Sequence, residues 1–238
     1  MMVSRNSAFG ILIGVTVGTL FLGPAPGSAQ AQSASCAGVS ISSPLEDLTR
    51  CAEQGDAQSQ ASLGWLYANG DGVPEDDAEA VRWYRLSAEQ GDAAAQTNLG
   101  WMYANGEGVP EDDAEAVRWY RLGAEQGNAN AQTNLGWMYA NGDGVLEDDA
   151  EAVRWYRLSA EQGDAAAQYN LGWMYANGDG VPGDRVYAYM WFNLSAAQGD
   201  EGARERKDRV ERRMTREQIT EAQRLSREWF EAHPPGGN

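Results

Sequence analysis

The chain has 238 residues, a net charge of −17, two cysteines and a single histidine. So acidic a surface repels phosphate backbones and anionic lipid, which excludes nucleic acid as a partner. One histidine, placed near the C-terminus in a Pro/Gly-rich stretch, leaves no Ser-His-acid or Cys-His arrangement to assemble.

Residues 1–31 read as an export signal. Arg5 is the only charge before Glu46, an apolar run follows from Phe9 to Leu22, and Ala29-Gln30-Ala31 offers the small residues at which a leader is cut. The run is shorter than the roughly 20 residues a membrane span needs, so cleavage near Gln32, export to the periplasm or beyond, and no membrane insertion afterwards are expected. Residues 32–51 form an N-terminal cap. In an oxidising compartment Cys36 and Cys51 would pair, closing a loop of about 15 residues for roughly 3 kcal/mol; alternatively Cys51 is a small buried apolar residue and Cys36 lies in a tail. Ser43-Pro44-Leu45-Glu46 predicts a capping box opening a short helix to about Gln54.

From residue 52 onward internal repetition dominates the chain. Ala-Glu-Gln-Gly recurs at 52, 88, 124 and 160, with Ala-Ala-Gln-Gly at 196, which sets four 36-residue units at 52–87, 88–123, 124–159 and 160–195. The second and third units differ at five of 36 positions, so a one-off catalytic site within them is not expected. Each unit predicts two helices. In the second, Gly91 ends the preceding helix and Asp92 caps helix A, which runs from Ala93 to Asn105 with Ala95, Leu99, Met102 and Tyr103 on one stripe. After a turn at Asn105–Pro110, helix B starts near Asp112, buries Ala116, Trp119, Tyr120, Gly123 and Ala124, and turns Arg118 and Arg121 outward. One hairpin cannot bury both stripes alone, so the units must stack into an all-α, right-handed α-solenoid superhelix with helical caps. Small residues at Ala95 and Gly100 let the neighbouring helix approach closely.

The fourth unit replaces its helix B by an apolar segment, Arg185–Leu194. Capping helices then fill 196–232, the last opened by Thr215-Arg216-Glu217-Gln218 and carrying Ile219, Ala222, Trp229 and Phe230 on its apolar face; 233–238 reads as a frayed tail. Charge is uneven along this plan: residues 32–195 carry 26 acidic and 8 basic side chains, whereas 196–238 carry nine of each. The acidic part would steer in a partner with a basic face; a plain solvated exterior accounts for the same charge.

One position repeats in every helix A away from the buried stripe: Trp65, Trp101, Trp137 and Trp173. Thr97, Thr133 and Tyr169 share that face, flanked by Asn98, Asn134 and Asn170. Aromatic rings with neighbouring amides suit recognition of an extended segment; the same pattern suits indoles packed between A helices as core. The acidic loops such as Asn69–Asp77 lack the spaced ligands and terminal bidentate Glu of a calcium loop, and Ser-x-x-Lys around Lys207 is absent. Acid pairs such as Asp112-Asp113-x-Glu115 fall at exposed helix starts. No metal, cofactor or enzymatic activity is therefore expected.

Gly91, Ala95-Gln96, Leu99-Gly100, Tyr103, Gly106-x-Gly108-Val109, Asp112, Ala116, Trp119-Tyr120 and Ala124-x-x-Gly127 resemble the Sel1-like repeat signature, a relative of the tetratricopeptide repeat. Tyr187–Leu194 followed by Met214–Ile219 and Glu221–Leu225 is similar to the ending of bacterial members. The resemblance implies a monomeric periplasmic adaptor that binds proteins or peptides along a concave surface. Cysteine-rich members have been linked to β-lactam binding, and a β-lactam-binding or hydrolysing protein of that type is the alternative; this sequence departs from it, because its repeats hold no cysteine beyond Cys51.

Overall fold

The computed structural model describes residues 36–234. The expected export signal, residues 32–35 and the end of the tail at 235–238 lie outside the described residues. The chain divides into two units, Met1–Ala37 and Gly38–Asn238, and the helical array belongs wholly to the second.

Among the described residues there are eleven helices and no strand: α1 (Leu45–Glu53), α2 (Ala57–Asn69), α3 (Asp77–Glu89), α4 (Ala93–Asn105), α5 (Asp113–Glu125), α6 (Ala129–Asn141), α7 (Asp149–Glu161), α8 (Ala165–Asn177), α9 (Arg185–Ala197), α10 (Glu201–Glu211) and α11 (Arg216–Ala232). Helices α2 to α9 are four A–B hairpins stacked in sequence order, an α-solenoid. Each A helix is capped by an Asp or Asn side chain that accepts from the third backbone N–H, as Asp92 does from Ala95, and ends on a left-handed glycine such as Gly106. The B helices of the first three hairpins are capped in the same way, by Asp76, Asp112 and Asp148.

The core runs continuously through the stack. Tyr84 and Val81 of α3 pack with Leu99 and Met102 of α4 and with Trp119 of α5, and the set recurs one repeat later. Gly100 sits where the hairpin closes: a Cβ there would lie 2.8 Å from Tyr120 Cδ1, and the equivalents Gly64, Gly136 and Gly172 face Tyr84, Tyr156 and Phe192 in the same way. Between repeats the turn glycines set the spacing. A Cβ on Gly108 would lie 2.2 Å from the carbonyl oxygen of Asp77, so each turn rests on the start of the preceding B helix, whereas Gly72, with no repeat before it, meets nothing.

Polar groups bind the repeats together as well. Gln60, Gln96, Gln132 and Gln168 are buried. Gln96 donates to the Ala88 carbonyl of the preceding repeat (3.1 Å) and accepts from Gln126 of its own repeat (2.7 Å). The other three repeat both bonds, so a ladder of amides passes through every junction. On the outside, Arg85, Arg121 and Arg157 each donate to a tyrosine hydroxyl of the next repeat.

The ends differ from expectation in three places. Helix α1 is capped by Pro44 without a side-chain bond, because Ser43 turns its hydroxyl back to accept from the Ser40 N–H; the capping box expected at Ser43 is not formed. The box at Thr215 and Gln218 does form. On α11 it is Leu225 and Trp229 that pack on the core, with Ala222 buried, while Phe230 remains exposed, since it falls on the far side of that helix from Ala222 and Leu225. His233, expected in a frayed tail, stacks on the Trp229 ring at 4.3 Å.

Candidate functional site

The A helices bury most of their circumference, because each packs against its own B helix and the one before it. Only the stripe Ala94, Asn98, Trp101 and Asn105 is left facing outward, at the helical spacing that aligns positions three and four apart. Gly100 and Met102, on either side of Trp101 in sequence, are buried. The indole is thereby forced onto the free face: Trp65, Trp101, Trp137 and Trp173 are 40%, 45%, 50% and 36% exposed. The alternative that these rings pack as core is overturned. Asn105 secures the end of the stripe by donating to the Trp101 carbonyl at 2.8 Å, and Asn69 and Asn141 do likewise.

Successive indoles wall two equivalent clefts. The first is lined by Trp101, Trp137, Asn134, Tyr120, Asp113 and Asp143. The second, 36 residues on, is lined by Trp137, Trp173, Asn170, Tyr156, Asp149 and Asp179, with Tyr169 and Arg206 beside them. Trp137 belongs to both. The carboxylates come from two repeats: Asp113 and Asp149 open B helices, and Asp143 and Asp179 lie in the turns that rest on those openings, where Gly144 and Gly180 touch the backbone of Asp113 and Asp149. Partial burial, and then the charges of Asp179, Glu147 and Asp148, raise the Asp149 carboxyl above its ordinary range. Burial pushes the Tyr84 hydroxyl up to about 12, against a smaller lowering from its hydrogen bond with Asn98; burial raises Tyr120 and Tyr156 further.

Of the residues singled out from sequence, the structure brings Asn134, Asn170 and Tyr169 to the clefts with the tryptophans. Thr97 and Thr133 do not belong to that surface. Thr97 is buried against α5 and spends its hydroxyl on the Ala93 carbonyl; Thr133 bonds Asp164 and Ser159 across the repeat junction. They lie only one step round the helix from the indole, on the side that the B helix covers. Asn98 is held by Tyr84.

Sequence reasoning passed over the cleft acids and Arg206. Asp113, Asp149, Asp143 and Asp179 looked like helix-start and turn residues, which they also are. Arg206 lies on α10, where the charge balance changes sign; its guanidinium carbon stands 4.3 Å above the Trp173 ring. Beyond it, Arg185, Arg206, Arg209 and Arg213 surround a pocket of about 190 Å³ against Trp173 and Phe192. Among the described residues, no group of three or more His, Cys, Asp or Glu side chains is placed to hold a metal ion. Cys36 and Cys51 are both disulfide-bonded, and Cys51 is fully buried on α1.

The Sel1 repeat pattern matches residues 57–92, 93–128, 129–164 and 165–200, each match opening on an A helix and closing in the glycine turn after a B helix. The chain belongs to the Sel1 repeat family. Its array is similar to that of a protective antigen present in uropathogenic Escherichia coli strains and displaying an SLR fold, at 36% identity and a TM-score of 0.76 over 88% of this chain and 47% of that one. It is also similar to a Sel1 repeat protein from Oxalobacter formigenes, at 33% identity and a TM-score of 0.66 over 81% of this chain and 77% of that one. The chain thus spans about half the length of the antigen. No curated protein matches it in sequence. Sel1 repeat proteins generally mediate protein–protein interaction, and no described helix of this one is long and apolar enough to cross a membrane.

Proposed function

We propose that this Sel1 repeat protein is a non-catalytic periplasmic adaptor, acting as a monomer, that holds a segment of another protein along the concave face made by its A helices. The observation that carries this reading is the exposure of one indole per repeat on an otherwise close-packed helix. Burying such a ring against a partner is worth far more than leaving it in water, since an aromatic side chain brings a large apolar area to the contact. The acids between the rings favour a partner with a basic face, and the amides of Asn134 and Asn170 suit a peptide backbone. Placement in the periplasm rests on the leader-like residues 1–31 together with the disulfide-bonded cysteines, which belong to an oxidising compartment.

The test is partner capture from a native envelope extract with the mature protein as bait, beside a Trp101→Ala/Trp137→Ala bait. Both positions are about half exposed, so the variant is expected to keep its far-UV circular dichroism. A partner held by the wild type and lost by the folded variant is the expected result. An identical set on both baits would sink the adaptor reading.

A further inference from the structure

We infer that the clefts between successive helix-A tryptophans are seats for arginine side chains of a partner segment, and that Arg206 fills the last seat from within the chain. The inference rests on the adaptor reading and names the chemistry of its partner. The second cleft holds Arg206, with its guanidinium over Trp173 at 4.3 Å and the carboxylates of Asp149 and Asp179 among the walls. The first cleft repeats those walls residue for residue, but every charged side chain lining it is acidic: Glu111, Asp113 and Asp143. Positions equivalent to its walls recur once more upstream at Trp65, Trp101, Asn98, Tyr84, Asp77 and Glu107.

The chemistry selects the occupant. An indole face attracts a cation through its quadrupole, tryptophan most strongly, and two carboxylates beside it supply acceptors for the same group. A guanidinium is flat, stacks on the ring and presents several N–H donors at its edge, whereas an ammonium is a compact and strongly hydrated point charge. Arginine therefore satisfies ring and carboxylates together. An apolar helix laid into the same clefts would strip water from Asp113 and Asp143 with nothing in return, and an anionic segment would be repelled. Neighbouring packed helices stand about 8–10 Å apart, close to the advance of three residues in an extended or polyproline-like chain at about 3.1–3.4 Å each. A segment with arginine at every third position would meet successive seats.

The probe is a short amidated peptide with arginine at every third position, titrated calorimetrically into the full mature protein at physiological ionic strength. Matched peptides carry lysine, or citrulline, the neutral isostere of arginine. The arginine peptide is expected to bind tightest, and citrulline to lose nearly all binding. Trp137→Ala, which serves two clefts, should weaken the arginine peptide by about tenfold, from two cation–π contacts of severalfold each. Asp113→Asn should weaken it several-fold, while Glu89→Gln, an equal loss of charge at an exposed site outside the clefts, should leave it unchanged. Arg206→Ala, which vacates the last seat, should strengthen binding. Equal affinity for lysine and arginine, equal losses in Asp113→Asn and Glu89→Gln, or no binding at all would overturn the inference. If the envelope partner still depends on Trp101 and Trp137 in that case, the adaptor reading stands and only the arginine seat falls; if that dependence is also absent, both fall.

Discussion

Gln96→Ala tests whether the amide ladder joins the repeats. Gln96 is 4% exposed, and its side chain makes two hydrogen bonds, to the Ala88 carbonyl and from Gln126. Losing both costs about 2 kcal/mol at roughly 1 kcal/mol each, and withdrawing two methylenes from the interior adds about 1.6 kcal/mol. Against this stand the side-chain entropy regained, about 1.5 kcal/mol, and a slightly better helix former. The Ala88 carbonyl keeps the Gly91 N–H at 3.0 Å, so no full penalty for an orphaned acceptor applies. The net loss is about 2 kcal/mol, or roughly 4–8 °C in melting temperature for a domain of this size. Gln126→Ala, at an exposed position with one of the two bonds, should cost under about 1 kcal/mol. Urea unfolding followed by circular dichroism gives both values and, with the double variant, their coupling. Equal costs at the two positions, or strict additivity, would refute a connection through Gln96.

Alkali should destabilise the fold through its buried tyrosines. The folded Tyr84 hydroxyl is raised from 10.0 to about 12, so its stabilisation is complete below the unfolded value and is lost as pH rises through that window. Tyr84→Phe, which copies the Phe192 found at the same place in the fourth repeat, should lessen the fall in urea midpoint between about pH 9 and about pH 11.5. Gly123→Ser should stabilise by about 1 kcal/mol, because Ser87 and Ser159 at the equivalent positions donate to Ala57 and Ala129 carbonyls at 2.8 Å; an unchanged or lower midpoint would contradict this. Gly100→Leu should cost on the order of 1–3 kcal/mol by overpacking, given that a bare Cβ would stand 2.8 Å from Tyr120; a thermal melt at or above the wild type would show that the hairpin is looser than described.

The helices were legible because each carries its own punctuation. Asp92, Gly106 and Asp112 mark ends that local hydrogen bonding enforces, and the structure places α4 at Ala93–Asn105 as the spacing predicts. Ser43 misled because a hydroxyl can serve a turn as readily as a cap, and the choice was settled by Ser40. The tryptophans stood out as a repeated position, but their exposure depends on which flanks the two neighbouring B helices cover, and that is a property of the stack. Thr97 fails for the same reason. The clefts were hardest to foresee: Asp113 and Asp143 are thirty residues apart and meet only when one repeat's turn settles on the preceding B helix. Arg206 had a weak signal in the balanced charge after residue 196, with nothing to say which ring it would reach.

Each buried glutamine presents its NH2 to one neighbour and its oxygen to the other, so every junction in the array is the same coupling used again. A unit cut out or copied between two such junctions leaves matching donors and acceptors at both ends, with no new interface to invent. The near identity of the second and third units is what such copying leaves behind. Since every added unit also brings one more outward indole and one more pair of acids, the reach of the face can be lengthened in fixed steps while the cap helices stay unchanged.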